Sequence, residues 1–140
     1  MTADYRTAWK ALHALLLGIS PAWPTTKPYE VAAPHAATYW QRGTFIPGEP
    51  LAVAFGGGAY SRVQGIYQVD LFYPKPLQDV DTLLGRAELV RDTFWPYRRS
   101  YVVGGAVVDQ LPRVSSLMTE EPAHNRIMVE VYFYLDDNPT

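Results

Sequence analysis

The sequence of 140 residues contains no cysteine. This excludes a disulfide framework and a thiolate zinc site, and it is compatible with assembly in a reducing cytoplasm. We find no run of roughly 18 apolar residues and no basic segment leading into an apolar core, so we expect neither a membrane span nor a secretory signal. Lysine is scarce and the formal net charge is −2, which argues against a dedicated nucleic-acid-binding protein.

The sequence also lacks a recognisable catalytic or metal-binding pattern. Its three histidines, His13, His35 and His124, lie in unrelated segments, and we expect the last of them in a polar turn over residues 120–125. The glycine run at residues 56–58 lacks the lysine and hydroxyl residue of a phosphate-binding loop and predicts a mobile loop instead. We therefore expect no enzyme activity, no catalytic residue, no bound metal and no cofactor.

Residues 60–96 contain the clearest pattern of the chain. The odd positions from Val63 to Tyr73 are mostly apolar and alternate with polar residues, which is typical of a half-buried strand. Proline residues at 74 and 76 end this strand, and a helix follows that ends before Pro96. The predicted apolar face of that helix consists of Val80, Leu83, Leu84, Ala87, Val90 and Phe94.

Other elements flank this pattern. Residues 2–19 predict a helix with Thr2 or Asp4 as its N-cap, and the prolines of residues 20–34 favour an ordered, extended connector. Residues 37–46 predict a strand, and residues 47–50 predict a turn. Residues 51–55 either continue that strand or pair back as a short hairpin arm.

The last third of the chain predicts further strands. Residues 101–108 and 111–117 are typical of short strands, with turns at residues 104–105 and 109–110. The closing strand has one fully apolar face, formed by Ile127, Val129, Val131, Phe133 and Leu135. The order of elements predicts a single α+β domain over residues 1–140, in which a mixed or antiparallel sheet carries both helices on one face.

The run RVQGIYQVDLFYP at residues 62–74 resembles the central strand of the small tail-terminator proteins of long-tailed, lambda-like bacteriophages. The opening helix, the Ala-Trp-Pro element at residues 22–24, the second helix and the closing strand around residues 128–134 follow the order of that family. The resemblance therefore spans nearly the whole chain. It implies a structural virion protein at the head-proximal end of the tail, assembled in the host cytoplasm.

The resemblance also implies partners. Identical subunits of the family form a closed ring, expected to be a hexamer, which caps the tail tube, stops its polymerisation and provides the surface for head joining. The implied partners are further copies of the chain, the tail tube protein and a head-completion or neck protein. DNA only passes through the lumen, and the net negative charge is compatible with a lumen that repels phosphate. No membrane partner is implied.

A head-to-tail contact that closes a ring needs two different patches on each subunit. We expect one patch at the glycine-rich loop and the other in the aromatic and basic segment after the second helix, because aromatic residues and arginine are frequent anchors of protein contacts. The candidate interface residues are Phe55, Tyr60 and Arg62 in the first patch and Trp95, Tyr97, Arg98, Arg99 and Tyr101 in the second.

Three alternatives stay open. The aromatic residues of the second patch could simply cover the end of the second helix. The chain could be a neck or head-completion protein, for which copurification with portal-side proteins would be the sign. It could also be a small enzyme or ligand-binding domain with Trp40, Trp95 and Tyr97 around a pocket, for which saturable binding of a metabolite by the monomer would be the sign.

Overall fold

A computed structural model of the chain describes residues 4–26, 39–52, 61–75, 80–95, 102–119 and 124–137. Two helices and seven strands are present in these ranges, and they confirm the α+β class expected from the sequence. In chain order the elements are α1 (Tyr5–Leu17), β1 (Thr25–Thr26), β2 (Trp40–Ala52), β3 (Ser61–Pro74), α2 (Val80–Phe94), β4 (Val102–Val103), β5 (Ala106–Val108), β6 (Arg113–Val114) and β7 (His124–Asp137).

The described strands form one mixed sheet in the order β1-β2-β3-β7-β5-β4, and β6 pairs with β7 beside β5. The pair β1 and β2 is parallel, whereas all other pairs are antiparallel. The long strands β2, β3 and β7 form the middle of the sheet, with Tyr67 of β3 between Phe45 of β2 and Val131 of β7. In the described ranges, neither helix is long and apolar enough to cross a membrane.

Capping residues define both ends of the first helix, with Asp4 at its N-terminus and Gly18 at its C-terminus. The Asp4 carboxylate accepts hydrogen bonds from the backbone N–H of Thr7 at 3.1 Å and from its hydroxyl at 2.6 Å. These bonds satisfy a backbone donor of the first turn and lower the pKa of Asp4. Gly18 caps the other end. Of the two predicted N-caps, Asp4 takes this role.

The structure confirms most of the apolar face predicted for α2, but it places Leu84 at the surface. Four of the six predicted residues are buried: Leu83, Ala87, Val90 and Phe94. Leu84, in contrast, is 43% exposed, and Arg86 takes a buried position on the helix. The reason is the angle of docking, because the sheet covers an arc centred on Leu83, Ala87 and Val90 that leaves Leu84 on its outer side.

Both helices pack on the same face of the sheet, as expected. That face is formed by the odd positions of β3 and β7, which are buried against α1 and α2. The alternation of side chains along each strand sends these residues to one side. The apolar face predicted for the closing strand is confirmed, since its five residues are 0–2% exposed.

We call the face of the sheet that packs against α1 and α2 the covered face. Tyr67 is the largest fully buried side chain on it, and it carries a polar hydroxyl group. Its ring is fully buried, and its hydroxyl shares a hydrogen bond of 3.1 Å with Nδ1 of His13 on α1. Burial raises the pKa of the Tyr67 phenol well above its ordinary value. A methyl group on Gly43 of β2 would overlap the Tyr67 hydroxyl, so this close approach requires glycine.

Arg86 joins α2 to the connector and to β2. Its Nη1 donates to the carbonyl oxygen of Pro21 at 2.5 Å, and its Nη2 donates to Oε1 of Gln41 at 3.0 Å. The guanidinium carbon lies 4.9 Å from the centre of the Trp23 ring. Burial lowers the pKa of Arg86. Nε2 of Gln41 donates a hydrogen bond to the hydroxyl of Thr25 in β1. A continuous series of hydrogen bonds therefore connects α2, β2 and β1.

Two predictions about local structure are wrong. Residues 47–50 do not form a turn: β2 continues to Ala52 beside β3, and the two prolines are accommodated by an irregularity in register between Pro47 and Pro50. The described part of the predicted connector, residues 20–26, agrees with an extended segment and contains the short strand β1, while residues 27–34 lie outside the described residues. His124 begins β7 opposite Pro74 and is buried, so it does not lie in a polar turn. Residues 53–60, with the predicted mobile loop, lie outside the described residues.

Candidate interaction surface

The sheet has a second face, which no described helix covers. We call it the open face. Its side chains come from the alternate positions of β2, β3 and β7 that point away from α1 and α2. It consists of Arg42, Thr44, Ile46, Gln64, Ile66, Gln68, Asp70, Arg126, Met128, Glu130, Tyr132 and Tyr134. All of these except Asp70 are half-buried or exposed.

A buried carboxylate lies in the middle of the open face. Only 1% of the Asp70 side chain is exposed, and one of its oxygens lies 3.3 Å from Nη2 of Arg42. The other oxygen accepts a hydrogen bond of 3.1 Å from Nε2 of Gln68 and lies 3.7 Å from Nε of Arg126. Because a buried charge needs partners, these contacts explain how Asp70 is tolerated there. We call Arg42 and Arg126 the arginine pair.

The two members of the arginine pair keep part of their surface accessible. Their side chains are 29% and 24% exposed. Nη2 of Arg126 lies 3.5 Å from the sulfur of Met118 and 3.6 Å from that of Met128, while the guanidinium of Arg42 lies 5.5 Å from the centre of the Phe72 ring. Arg42 and Arg126 thus share the carboxylate of Asp70, and both side chains stay partly accessible to solvent.

An aromatic group adjoins the arginine pair. The rings of Trp40 and Phe72 stack with centres 3.9 Å apart and an angle of 10° between planes. His124 meets both rings edge-on, at 6.0 Å and 6.2 Å. All three side chains are buried, so β3 is covered on both faces at this end, unlike the half-buried strand that its alternation predicts.

The other half of the open face is more apolar and more accessible. Ile46 is 43% exposed, and Ile66 and Tyr132 beside it are half-buried. A groove of about 400 Å³ lies here. Its lining consists of Ile46, Pro47, Gly48, Gln64, Gly65, Ile66, Asp109, Gln110, Tyr132 and Phe133. Such a groove suits one or two apolar side chains with polar groups at the rim.

Arg62 lies beyond this groove, near the start of β3. Its Nε and Nη2 donate to the two carboxylate oxygens of Asp136 at 2.7 Å and 3.2 Å. The guanidinium carbon also lies 3.9 Å from the centre of the Tyr134 ring. This geometry orders Arg62 at the surface, where a planar guanidinium is well suited to a protein contact.

The two predicted interface patches are placed only in part. Arg62 lies on the same side of the sheet as the open face, whereas Trp95 follows α2 and packs against the core on the covered side. This contact of Trp95 with the core agrees with the alternative that it covers the end of the second helix. The other candidates, Phe55, Tyr60, Tyr97, Arg98, Arg99 and Tyr101, lie outside the described residues.

The alternative of a pocket around Trp40 and Trp95 does not fit the described part of the chain. Trp40 stacks on Phe72 on the side away from the helices, and Trp95 packs against the core on the helix side. The sheet thus separates the two rings. Across the described ranges, no group of three or more histidine, aspartate or glutamate side chains is arranged to hold a metal ion.

Sequence reasoning missed the arginine pair and its shared carboxylate. The signal was available in part, because Asp70 stands between Val69 and Leu71 in the most apolar stretch of β3. A carboxylate in such a place requires a cation nearby. Which arginine supplies it depends on register, and Arg42 and Arg126 lie 28 and 56 residues away along the chain.

No family model matches the chain, and no curated protein matches it. Five chains of solved structures are similar to it. One of them, whose name describes no function, has a TM-score of 0.63 and 16% sequence identity, and the match covers 96% of this chain and 95% of that chain. At this identity the likeness concerns the fold alone.

Proposed function

We propose that the chain is a tail terminator of a long-tailed bacteriophage. In this role it is a structural virion protein whose copies close into a ring, expected to be a hexamer. The ring caps the tail tube at its head-proximal end, stops its polymerisation and offers its other side to a head-completion or neck protein. DNA passes through the lumen without being bound.

One observation carries the proposal. The run at residues 62–74, which resembles the central strand of the tail-terminator family, forms β3 with its boundaries nearly unchanged, and β3 lies between β2 and β7 in the middle of the sheet. The α+β fold, with both helices on one face, agrees with the order of elements in that family. The remaining support comes from the open face.

The open face has the composition of a protein contact. It combines arginine, tyrosine, methionine and isoleucine, which are residue types frequent in the centres of interfaces, with charged groups that are already paired. A ring protein needs such surfaces, because every copy must contact its neighbours and the tube.

The first test is native mass spectrometry of the purified chain over a range of concentrations. A closed hexamer is the expected result. A second assay tests the activity itself: the chain is expressed together with the tail tube protein of the phage that encodes it, and tube lengths are measured by electron microscopy. We expect capped tubes that stay short.

The same assay separates this proposal from its nearest alternative. Tubes that grow to the same length with and without the chain, combined with copurification of the chain with portal-side proteins, would favour a neck protein and overturn the terminator proposal. A monomer that saturably binds a metabolite and ignores tube ends would favour the ligand-binding alternative.

A further inference from the structure

A small cavity, separate from the groove of the open face, lies between α2 and the segment that follows α1. Its volume is about 220 Å³, and its walls consist of Pro21, Trp23, Thr82, Gly85, Arg86 and Leu89. The four residues from α2 share one face of the helix, and Pro21 and Trp23 supply the facing wall. The cavity is therefore a largely apolar space with one charged group in its wall. We call it the Arg86 cavity.

Arg86 brings a buried positive charge to this cavity. Only 4% of the residue is exposed, and a guanidinium stays protonated in proteins. Its described partners are the carbonyl oxygen of Pro21, Oε1 of Gln41 and the face of the Trp23 ring, and all three are uncharged groups. None of the ion pairs in the described part of the chain involves Arg86. The charge is thus held by neutral partners alone.

The guanidinium of Arg86 also keeps a hydrogen-bond donor in reserve. Its Nε is buried and has no hydrogen-bond partner among the described residues. A buried cation without a counter-charge is unfavourable, and burial correspondingly lowers the pKa of Arg86. An anion placed in the adjoining cavity would supply both the missing charge and an acceptor.

Gly85 is an independent sign that the cavity is kept open. A methyl group on Gly85 would meet no atom within 4 Å, so the packing of the described chain does not require glycine there. Glycine also lowers the stability of a helix interior relative to alanine, so helix formation does not favour it either. Because Gly85 lines the cavity, a larger side chain at this position would extend into the space beside Arg86.

We propose that the Arg86 cavity binds a carboxylate group carried on a short apolar chain. The carboxylate lies against the guanidinium of Arg86, and the apolar chain lies against Trp23 and Leu89. A carboxylate suits the site because its two oxygens match the N–H groups of a planar guanidinium. The inference goes beyond the proposed function and stands on the surroundings of Arg86 and Gly85.

The size and the walls of the cavity narrow the class of ligand. A volume of about 220 Å³ is below the roughly 300–1,000 Å³ of sites for cofactors and larger metabolites. The apolar walls disfavour a strongly hydrated anion such as phosphate, because its remaining oxygens would lose water without gaining donors. Two sources supply the required group: an acidic side chain of a protein partner, or a free short-chain carboxylic acid.

Titration with hexanoate, followed by nuclear magnetic resonance, tests the site directly. The Nε–H group of Arg86 gives a signal that is identified by its absence from the spectrum of Arg86→Lys. We expect hexanoate to shift this signal saturably. Hexanamide, which has the same shape without the charge, and inorganic phosphate should each bind at least ten-fold more weakly. Equal binding of hexanamide or of phosphate would overturn the proposed preference for a carboxylate.

Filling the cavity gives a second test that leaves Arg86 in place. Gly85→Leu puts a side chain into the space beside the guanidinium, and leucine is a good helix former, so we expect the fold to persist. Hexanoate should bind this variant at least ten-fold more weakly than the wild type. Leu84→Phe adds bulk at the neighbouring exposed position outside the cavity walls and should bind normally. Wild-type affinity in a folded Gly85→Leu variant would overturn the proposal.

Native mass spectrometry of the same proteins distinguishes the two sources of the carboxylate. If an acidic side chain of a neighbouring copy occupies the cavity, saturating hexanoate and the Gly85→Leu substitution should each lower the fraction of rings at least ten-fold. If the ligand is a free acid or belongs to a different protein, both should leave the rings intact, and addition of that protein separates these two cases. The titration needs no ring, so it decides the site even if the wild type is monomeric and the terminator proposal fails.

Discussion

The two faces of the sheet are stabilised in different ways. On the covered face, the apolar side chains of β3 and β7 are removed from water by α1 and α2, and the buried hydroxyl of Tyr67 is hydrogen-bonded to His13. On the open face, contacts between charged and aromatic groups order side chains that stay partly exposed. The covered face thus supplies most of the free energy of folding, whereas the side chains of the open face contribute less to it and stay partly accessible.

The largest expected effect is a difference in stability between substitutions at two neighbouring positions of β7, one on each face of the sheet. Phe133→Ala should lower the free energy of unfolding by about 3–5 kcal/mol, because the buried ring leaves a cavity against Phe45. Tyr132→Ala, one residue earlier on the open face, should cost about 1 kcal/mol or less. Urea denaturation of both variants measures the difference. Equal losses would show that the open face acts as a second core.

The next comparison lies within the open face. Asp70→Asn should destabilise the protein by about 2 kcal/mol, because the arginine pair loses its buried counter-charge; the partial exposure of both arginines keeps the loss below that of a fully buried pair. Asp136→Asn removes the exposed partner of Arg62 and should cost under about 1 kcal/mol. Chemical denaturation at low and high salt tests both. A larger loss for Asp136 would mean that burial does not decide the strength of these pairs.

An effect of similar size concerns Arg86, the buried arginine of α2. Arg86→Met leaves Oε1 of Gln41 buried without its donor and should cost about 1–3 kcal/mol. The double variant Arg86→Met, Gln41→Leu should lose less than the sum of the two single variants, by about 1 kcal/mol. A double-mutant cycle from thermal or urea unfolding provides the number. Strict additivity would indicate that the two side chains do not act together.

The smallest effect is a pH dependence at the start of α1. The hydrogen bonds from Thr7 lower the pKa of Asp4, so the folded state favours the charged carboxylate. The resulting stabilisation is present above the ordinary pKa of aspartate and is lost as pH falls through the lowered value. We expect the melting temperature of the wild type to fall slightly more than that of Asp4→Asn between neutral and acidic pH, because asparagine caps a helix without titrating. Parallel loss in both proteins would exclude this contribution.

Whether a prediction from the sequence succeeds depends on how far apart along the chain the interacting residues are. The alternation in β3 and β7, the helical spacing in α2 and the cap of α1 are set by residues within a few positions of one another, and these predictions are confirmed. The misassigned turn at residues 47–50 shows the limit. Two prolines beside a glycine predict a turn locally, but pairing with β3 keeps the segment in the sheet with an irregular register.

The open face shows the same limit at the level of the candidate site. Of the predicted interface residues within the described ranges, Arg62 lies on the outer side of the sheet and Trp95 packs on the core. The residues that distinguish the open face, Asp70 and the arginine pair, come from three strands whose alignment no local pattern reveals. An arginine in the sequence gives no sign of which carboxylate it will reach.

The sequence by itself determined the class of the fold, the periodicity of its long elements and the absence of a disulfide or thiolate chemistry, because composition and spacing act over short distances along the chain. The tertiary structure alone decided that Leu84 is exposed, that Arg86 and His124 are buried, and that two arginines share Asp70. These outcomes depend on the angle at which a helix docks and on the register of paired strands. Both are set by the packing of distant residues rather than by neighbours in the sequence.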